Sequence, residues 1–271
     1  MQNVISDSIA EVSDVHFAYG ENKVLQGINL KIPRGKVVAI LGASGCGKST
    51  LLRMLGAQQR PDQGVVNVMG ETISTMDGEP LYALRKKIGM MLQKGGLFSD
   101  MSVFDNIAFP IREHTDLPEE LIYDLVLMKL HAVGLRGAHA LMPGELSGGM
   151  ARRVALARAI ALDPALLMYD EPFAGLDPIS LNVIATLIRR LNDALGLSSI
   201  VVTYDVSESM KVVDYVYFIS GGKVVAEGPT DTIKESNDPF VRQFLDAKPD
   251  GPVAFHYPGQ PITESLSLAA A

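Results

Sequence analysis

The sequence predicts an α/β fold around a buried parallel sheet, with an inserted helical lobe and an extended C-terminal tail. Three observations carry this prediction. Residues 37–41, 88–92, 166–169 and 200–203 are short, continuous apolar runs, the pattern of strands covered on both faces. Helix-like stretches lie between them, which gives strand–helix–strand units and parallel pairing. A glycine-rich loop follows the first run and opens a helix over residues 49–57.

The remaining elements follow in order. Ile28, Leu30 and Ile32 alternate with polar residues, a half-buried strand ended by Pro33-Arg34-Gly35. Residues 94–165 are richest in helix patterns and form the inserted lobe. Within it Leu121, Leu125, Met128 and Ala132 recur at helical spacing after Leu117-Pro118, with proline expected at the first helical position. A short helix is expected over 240–245. The stretch 249–271 holds four prolines and ends in small residues, so it reads as an extended tail with a disordered end. The chain divides into residues 1–246 and a tail of 247–271.

Composition narrows the function classes. Of 271 residues 47% are hydrophobic and 20% charged, ample for a packed core. The net charge of −7 disfavours nucleic acid as a partner. Cys46 is the only cysteine, which excludes a disulfide framework and a cysteine-based metal cluster and fits a reducing cytoplasm. The first seventeen residues carry Asp7, Glu11 and Asp14 without a basic start, so no signal peptide is expected. No stretch reaches the ~18 apolar residues of a membrane span, so a membrane role has to come through partners. His16, His114, His131, His139 and His256 show no metal-ligand spacing and read as structural or surface residues.

Gly42-Ala43-Ser44-Gly45-Cys46-Gly47-Lys48-Ser49-Thr50 matches the phosphate-loop pattern G-x-x-x-x-G-K-[ST]. Glycines let the backbone curl so that successive N–H groups face phosphate oxygens, and the helix start adds its positive end. Lys48 is placed to reach the β- and γ-phosphates and the Ser49 hydroxyl to ligate Mg²⁺. Cys46 is a spacer. The protein therefore binds a nucleoside triphosphate with Mg²⁺, and the loop alone does not say which or why.

Leu146-Ser147-Gly148-Gly149-Met150 precedes a helix-like run over 151–162. Ser147 suits a helix N-cap, and Gly148 and Gly149 permit close approach to an anion. Taken alone, the peptide reads equally well as an ordinary capped helix. A strand over 166–169 follows and delivers Asp170 and Glu171. Phosphate loop, Leu-Ser-Gly-Gly peptide, then strand with Asp-Glu is the order of ABC transporter ATPases, which this chain resembles over about residues 12–228.

That resemblance implies an ABC-type ATPase fold: a P-loop parallel-sheet core, an N-terminal antiparallel β part and the helical subdomain. It also implies roles. Asp170 holds Mg²⁺ through water, and Glu171 is the general base that orients or deprotonates the attacking water. Gln93 links the Mg²⁺ shell to the helical lobe, and Asp177, in Ala174-Gly175-Leu176-Asp177, belongs to a loop crossing the dimer interface. Tyr19 stacks on adenine; the other reading makes it a core aromatic. The phosphate loop of one subunit faces Ser147, Gly148 and Gly149 of the other, so a homodimer is required.

Two positions depart from the family pattern. Tyr204-Asp205 stands where a histidine normally contacts the γ-phosphate. A tyrosine hydroxyl donates a hydrogen bond but carries no positive charge near neutral pH. Tyr204 either substitutes with slower turnover, marks a site that traps ATP, or leaves that hydrogen bond to another group; reduced hydrolysis with retained ATP binding is expected. Met150 replaces the commoner glutamine. Leu-Ser-Gly-Gly-Met-Ala-Arg-Arg nevertheless resembles the ATPases of bacterial Mla-type phospholipid transporters. So do the segments 96–106 and 112–115, Arg242-Gln243-Phe244-Leu245, Asp250-Gly251-Pro252-Val253 and Tyr257-Pro258.

The resemblance implies a homodimer docked beneath two copies of a membrane permease, with a STAS-domain protein and a lipid-binding Mce-domain protein in the complex. It places the subunit at the cytoplasmic face of the bacterial inner membrane, with the tail reaching the neighbouring ATPase. Its expected role is ATP hydrolysis driving phospholipid movement between inner and outer membranes. The rivals are an ABC ATPase for another solute, a permease-free ABC-fold protein, and a slow or non-hydrolysing nucleotide binder.

Overall fold

The computed structural model describes residues 7–93 and 95–253; expectations for His256 and Tyr257-Pro258 lie outside them. The chain runs through β1 (Ser8–Tyr19), β2 (Asn22–Pro33), β3 (Val37–Leu41) and α1 (Lys48–Leu55). It continues through β4 (Gln63–Val68), β5 (Glu71–Thr72), α2 (Gly78–Arg85) and β6 (Ile88–Met91). A helical lobe follows, made of α3 (Val103–His114), α4 (Glu119–Ala132) and α5 (Gly148–Ala159), with short 3-10 turns between the last two. Then come β7 (Leu166–Asp170), α6 (Pro178–Leu195), β8 (Ser198–Thr203) and α7 (Val206–Ser209). The described chain closes with β9 (Tyr215–Ser220), β10 (Lys223–Pro229), α8 (Thr230–Lys234) and α9 (Pro239–Leu245).

The strands form two sheets. The larger has the order β10-β9-β3-β8-β7-β6 and is parallel except for β10, which pairs antiparallel with β9. The smaller is antiparallel, in the order β2-β1-β4-β5. The two cores explain the apolar runs. In β3, Val37, Ala39 and Leu41 enter the core shared with the helical lobe, while Val38 and Ile40 enter the core beneath α1 and the antiparallel sheet. A strand covered on both faces has no position left for a polar side chain.

Two sequence expectations change. Pro118 caps α4 and the helix starts at Glu119, so the proline lies just outside the first helical turn. The stripe named for that helix is largely its outer face: Leu121 and Met128 are exposed, and Ile122, Val126 and Leu130 are buried. Helix α4 is apolar on more than one side, so two stripes at helical spacing exist and spacing alone does not choose between them. At the C-terminal end α9 starts with Pro239 after an Asp238 cap, and Phe240 and Phe244 pack on Phe218. Gln243 holds the next segment by bonds to both backbone groups of Val253, at 2.9 and 3.0 Å.

Candidate nucleotide site

Parallel strands bring their carboxyl ends to one edge, where ligand crevices of such sheets lie. Leu41 at the end of β3 pairs with Thr203 of β8, and Val202 pairs with Asp170 of β7. Met91 of β6 pairs with Tyr169. The register therefore sets the phosphate loop, Thr203-Tyr204, Asp170-Glu171 and Gln93 in sequence along that edge.

The loop 42–47 turns from β3 into α1. Gly47 has φ +103°, and a Cβ there would lie 2.8 Å from Leu25 of β2, so both conformation and space require glycine. The Lys48 side chain is buried and donates to the carbonyls of Gly42 (2.9 Å) and Ala43 (3.0 Å), 3.9 Å from the Glu171 carboxylate. Its ammonium thus lies over the glycine loop 42–47. Burial pushes the Cys46 thiol up, ahead of the opposing pull of Lys48, so the thiol stays protonated at neutral pH.

Ser49 donates its hydroxyl hydrogen to Asp170 at 2.9 Å. A hydroxyl and a carboxylate are hard oxygen donors of the kind Mg²⁺ prefers. No cluster of three or more His, Cys, Asp or Glu with metal-holding geometry exists among the described residues. The pair therefore fits Mg²⁺ only together with phosphate oxygens and water. Gln93 is exposed just beyond β6 and, among the described residues, makes no hydrogen bond to Ser49 or Asp170.

Glu171 is buried, with 7% of its surface exposed and φ +49°. Its carboxylate accepts the Tyr204 backbone N–H at 3.2 Å and the Thr203 hydroxyl. Burial raises its pKa, and those two bonds and Lys48 pull the other way. A carboxylate held dry, oriented and more basic than usual is equipped to accept a proton from water. Thr203 was not singled out in the sequence. Its position in an apolar run concealed it, and only the β3–β8–β7 order turns its hydroxyl to Glu171.

Tyr204 contributes through its backbone; its ring is 52% exposed and lines a cavity of about 880 Å³ with Ala43, Ser44 and Phe244. Tyr19 is 49% exposed, its ring edge-on to Phe17 at 4.8 Å, so it is not a core aromatic. It ends the strand paired with β2, whose Val24 and Leu25 abut Gly47. Ser147 caps α5 by accepting the Met150 N–H. Gly148 faces open space, whereas a Cβ on Gly149 would meet the Ser180 hydroxyl at 2.6 Å. Of the two glycines, the first leaves room for a ligand and the second lets α5 pack against α6. Asp177 caps α6 by accepting from Ile179 and Ser180, each at 3.0 Å. Among the described residues, no hydrogen bond joins 147–149 to the phosphate loop of the same chain.

The model of the ABC transporter family matches residues 25–174, from β2 through the phosphate loop and helical lobe to the turn after Glu171. The chain belongs to the ABC transporter family. It is similar to the intermembrane phospholipid transport system ATP-binding protein MlaF of Haemophilus influenzae, with 53% identity over 97% of this chain and 99% of that protein. The Escherichia coli K12 protein of the same description is 51% identical over 93% of each. A probable ribonucleotide transport ATP-binding protein of Mycobacterium leprae is 38% identical over 90% of this chain and 70% of its own length. Among solved structures, a dimeric post-hydrolysis state of the ATP-binding cassette MJ0796 bound to ADP and Pi superposes with TM-score 0.75. It is 28% identical and covers 82% of this chain and 98% of that one. The cassette cbiO1 of Clostridium perfringens, described as part of the ABC transporter complex cbiONQ, reaches TM-score 0.79 at 30% identity over 89% of this chain and 96% of that one. The chain is thus an ABC-type ATPase, and its phosphate loop, Asp170 and Glu171 lie together on the strand edge built above.

Proposed function

We propose that this chain is the ATP-binding and ATP-hydrolysing subunit of a transporter that moves phospholipid between the inner and outer membranes. One observation carries the proposal: 53% identity across 97% of the chain to a protein described as belonging to an intermembrane phospholipid transport system. The backbone N–H groups of residues 43–49 and the Lys48 ammonium hold the triphosphate, and Tyr19 stacks on the base. Ser49 and Asp170, with Gln93, would hold Mg²⁺, which would supply charge neutralisation to the bound phosphates. Glu171 orients the attacking water and takes its proton.

The active form is a homodimer, with Ser147 and Gly148 of one chain closing over the nucleotide on its partner and Asp177 near the interface. Among the described residues, no helix is long and apolar enough to cross a membrane. A permease dimer therefore supplies the lipid path. Its docking place is the apolar groove of about 690 Å³ lined by Tyr82, Leu92, Phe98, Phe109 and Pro110, between β6 and α3. In this reading the subunit works at the cytoplasmic face of the inner membrane, with STAS-domain and Mce-domain proteins as further partners.

The test is reconstitution. The chain is co-expressed with its genomic neighbours, affinity-purified, and the complex is placed in vesicles carrying fluorescent phospholipid. ATP-dependent lipid transfer that Lys48→Ala abolishes supports the proposal. A complex that hydrolyses ATP but moves another solute refutes the lipid assignment.

A further inference from the structure

The turn that carries Glu171 is held by a side chain from another element. Arg152 lies in the second turn of α5 and reaches across to the segment after β7. Its Nη1 donates to the Glu171 carbonyl at 3.2 Å and its Nη2 to the Ala174 carbonyl at 3.0 Å. Among the described residues it forms no ion pair, and both of its hydrogen bonds go to these backbone acceptors. Glu171 itself stands at φ +49°, a region side-chain-bearing residues visit rarely. Its N–H is tied to Val202 at 2.8 Å, which fixes one side of the residue to β8. The Arg152 fork fixes the other.

We propose that Arg152 is a positioning residue for ATP hydrolysis, holding the left-handed Glu171 backbone through the Glu171 and Ala174 carbonyls so that the carboxylate stays aimed at the attacking water. The inference rests on reading Glu171 as the general base. The carboxylate has two tethers, Tyr204 N–H and Thr203 hydroxyl, and both belong to β8 and its end. Neither prevents the peptide on the carbonyl side from rotating towards an ordinary φ. Within its own turn the Glu171 carbonyl also accepts the Ala174 N–H at 3.3 Å, but only the guanidinium bonds it from a third element, and a planar fork spans two carbonyls where an ammonium reaches one. Burial lowers the basicity of Arg152, while the nearby Glu171 and Tyr204 act in the opposite sense through charge. Helix α5 also starts at Ser147-Gly148, so the fork links the peptide that addresses the partner's nucleotide to the base of the chain's own site.

The test compares Arg152→Ala, Arg152→Lys, Arg152→Gln and Glu171→Gln in the purified transporter complex. Displacing a reacting group by about an ångström costs on the order of 10²-fold. The expected result is a loss of that order in kcat for Arg152→Ala, with the KM for ATP within about twofold. Arg152→Lys retains part of the rate, and millimolar guanidinium ion partly restores kcat in Arg152→Ala. Where Arg152→Ala does not fold, Arg152→Gln, which keeps the stem, gives the same readout. An unchanged kcat in a complex that Glu171→Gln silences overturns the proposal. So does a parallel fall of kcat, ATP affinity and melting temperature without guanidinium rescue. Full turnover by Glu171→Gln refutes the general-base reading itself, and the Arg152 role with it.

Discussion

At the scale of single residues, the proposed chemistry turns on Glu171, a buried carboxyl that has to ionise to serve as base. Burial raises its pKa first, and the Thr203 hydroxyl leads the groups that lower it. In the proposed role of general base Glu171 must be ionised to act, so turnover is expected to fall as pH drops through this raised value, above the range of an ordinary glutamate. Thr203→Val removes the leading counterweight, and the acid limb of kcat against pH shifts to higher pH. Glu171→Gln lowers kcat by about 10²–10⁴-fold, the span of general-base contributions, while fluorescent-nucleotide binding persists. The same raised pKa has a stability consequence. Folding favours the protonated form, so its contribution is fully present below the unfolded glutamate value of about 4.3 and is lost as pH rises through the folded value. Glu171→Gln therefore melts higher than the parent at neutral pH, and the difference closes in acid. Tyr204→His leaves the backbone tether intact and adds a group able to carry charge. Its kcat is expected to rise, and an unchanged rate would show that the tyrosine ring does not limit turnover. Lys48, Ser49, Asp170 and Glu171 were legible because each sits in a contiguous motif. Thr203 and Arg152 were not, because their partners lie on other elements and no sequence spacing encodes those distances.

Among elements, the contact between the starts of α5 and α6 is the tightest constraint on the Ser147-Gly148-Gly149 peptide. Gly149 has no left-handed φ, so alanine fits the backbone but not the space, with Ser180 Oγ at 2.6 Å and its Cβ at 2.9 Å from the added carbon. Gly149→Ala is expected to destabilise by about 1–3 kcal/mol, the usual cost of overpacking. That corresponds to a fall of roughly 2–4 °C in melting temperature per kcal/mol. Ser180→Gly removes the obstructing atoms, so the double variant melts no lower than Ser180→Gly alone; strictly additive losses would refute the contact as the cause. Elements were legible in proportion to their burial. The strands β3, β7 and β8 are buried along almost their whole length and read as apolar runs. The strands β1, β4 and β10 mix buried with exposed positions, and register shifts in the pairings of β1 and β10 break a strict alternation. Helix α4 shows the converse, since its exposed Leu121 and Met128 mimic a buried stripe.

For the whole molecule, the proposed assembly turns on one chain carrying two half-sites, the phosphate loop and the Ser147-Gly148 helix start, each completed by a partner. The alternation of apolar runs, helices and a phosphate loop was enough to read the α/β architecture, because a doubly covered parallel sheet needs those runs. Assembly is less legible, since it depends on which surfaces stay open. Lys48 is buried at the strand edge, while Ser147 and Gly148 are exposed at the start of α5. A dimer in which each chain completes the other's site predicts complementation between two inactive variants. Lys48→Met disables the phosphate loop and keeps the side-chain volume. Gly148→Asp adds a carboxylate where nothing lies within 4 Å of the new Cβ, so the monomer tolerates it while the anion-facing helix start turns repulsive. Each homodimer has two broken sites. In a mixed dimer both lesions fall on one site and the other is intact. Random assembly makes half the dimers mixed, so co-expression of the two variants recovers about a quarter of the parent ATPase rate if sites turn over independently. Differently tagged chains and tandem purification isolate the mixed dimer, whose rate per dimer is then about half that of the parent. A rate no higher than that of the separate variants would refute independently acting sites shared between chains.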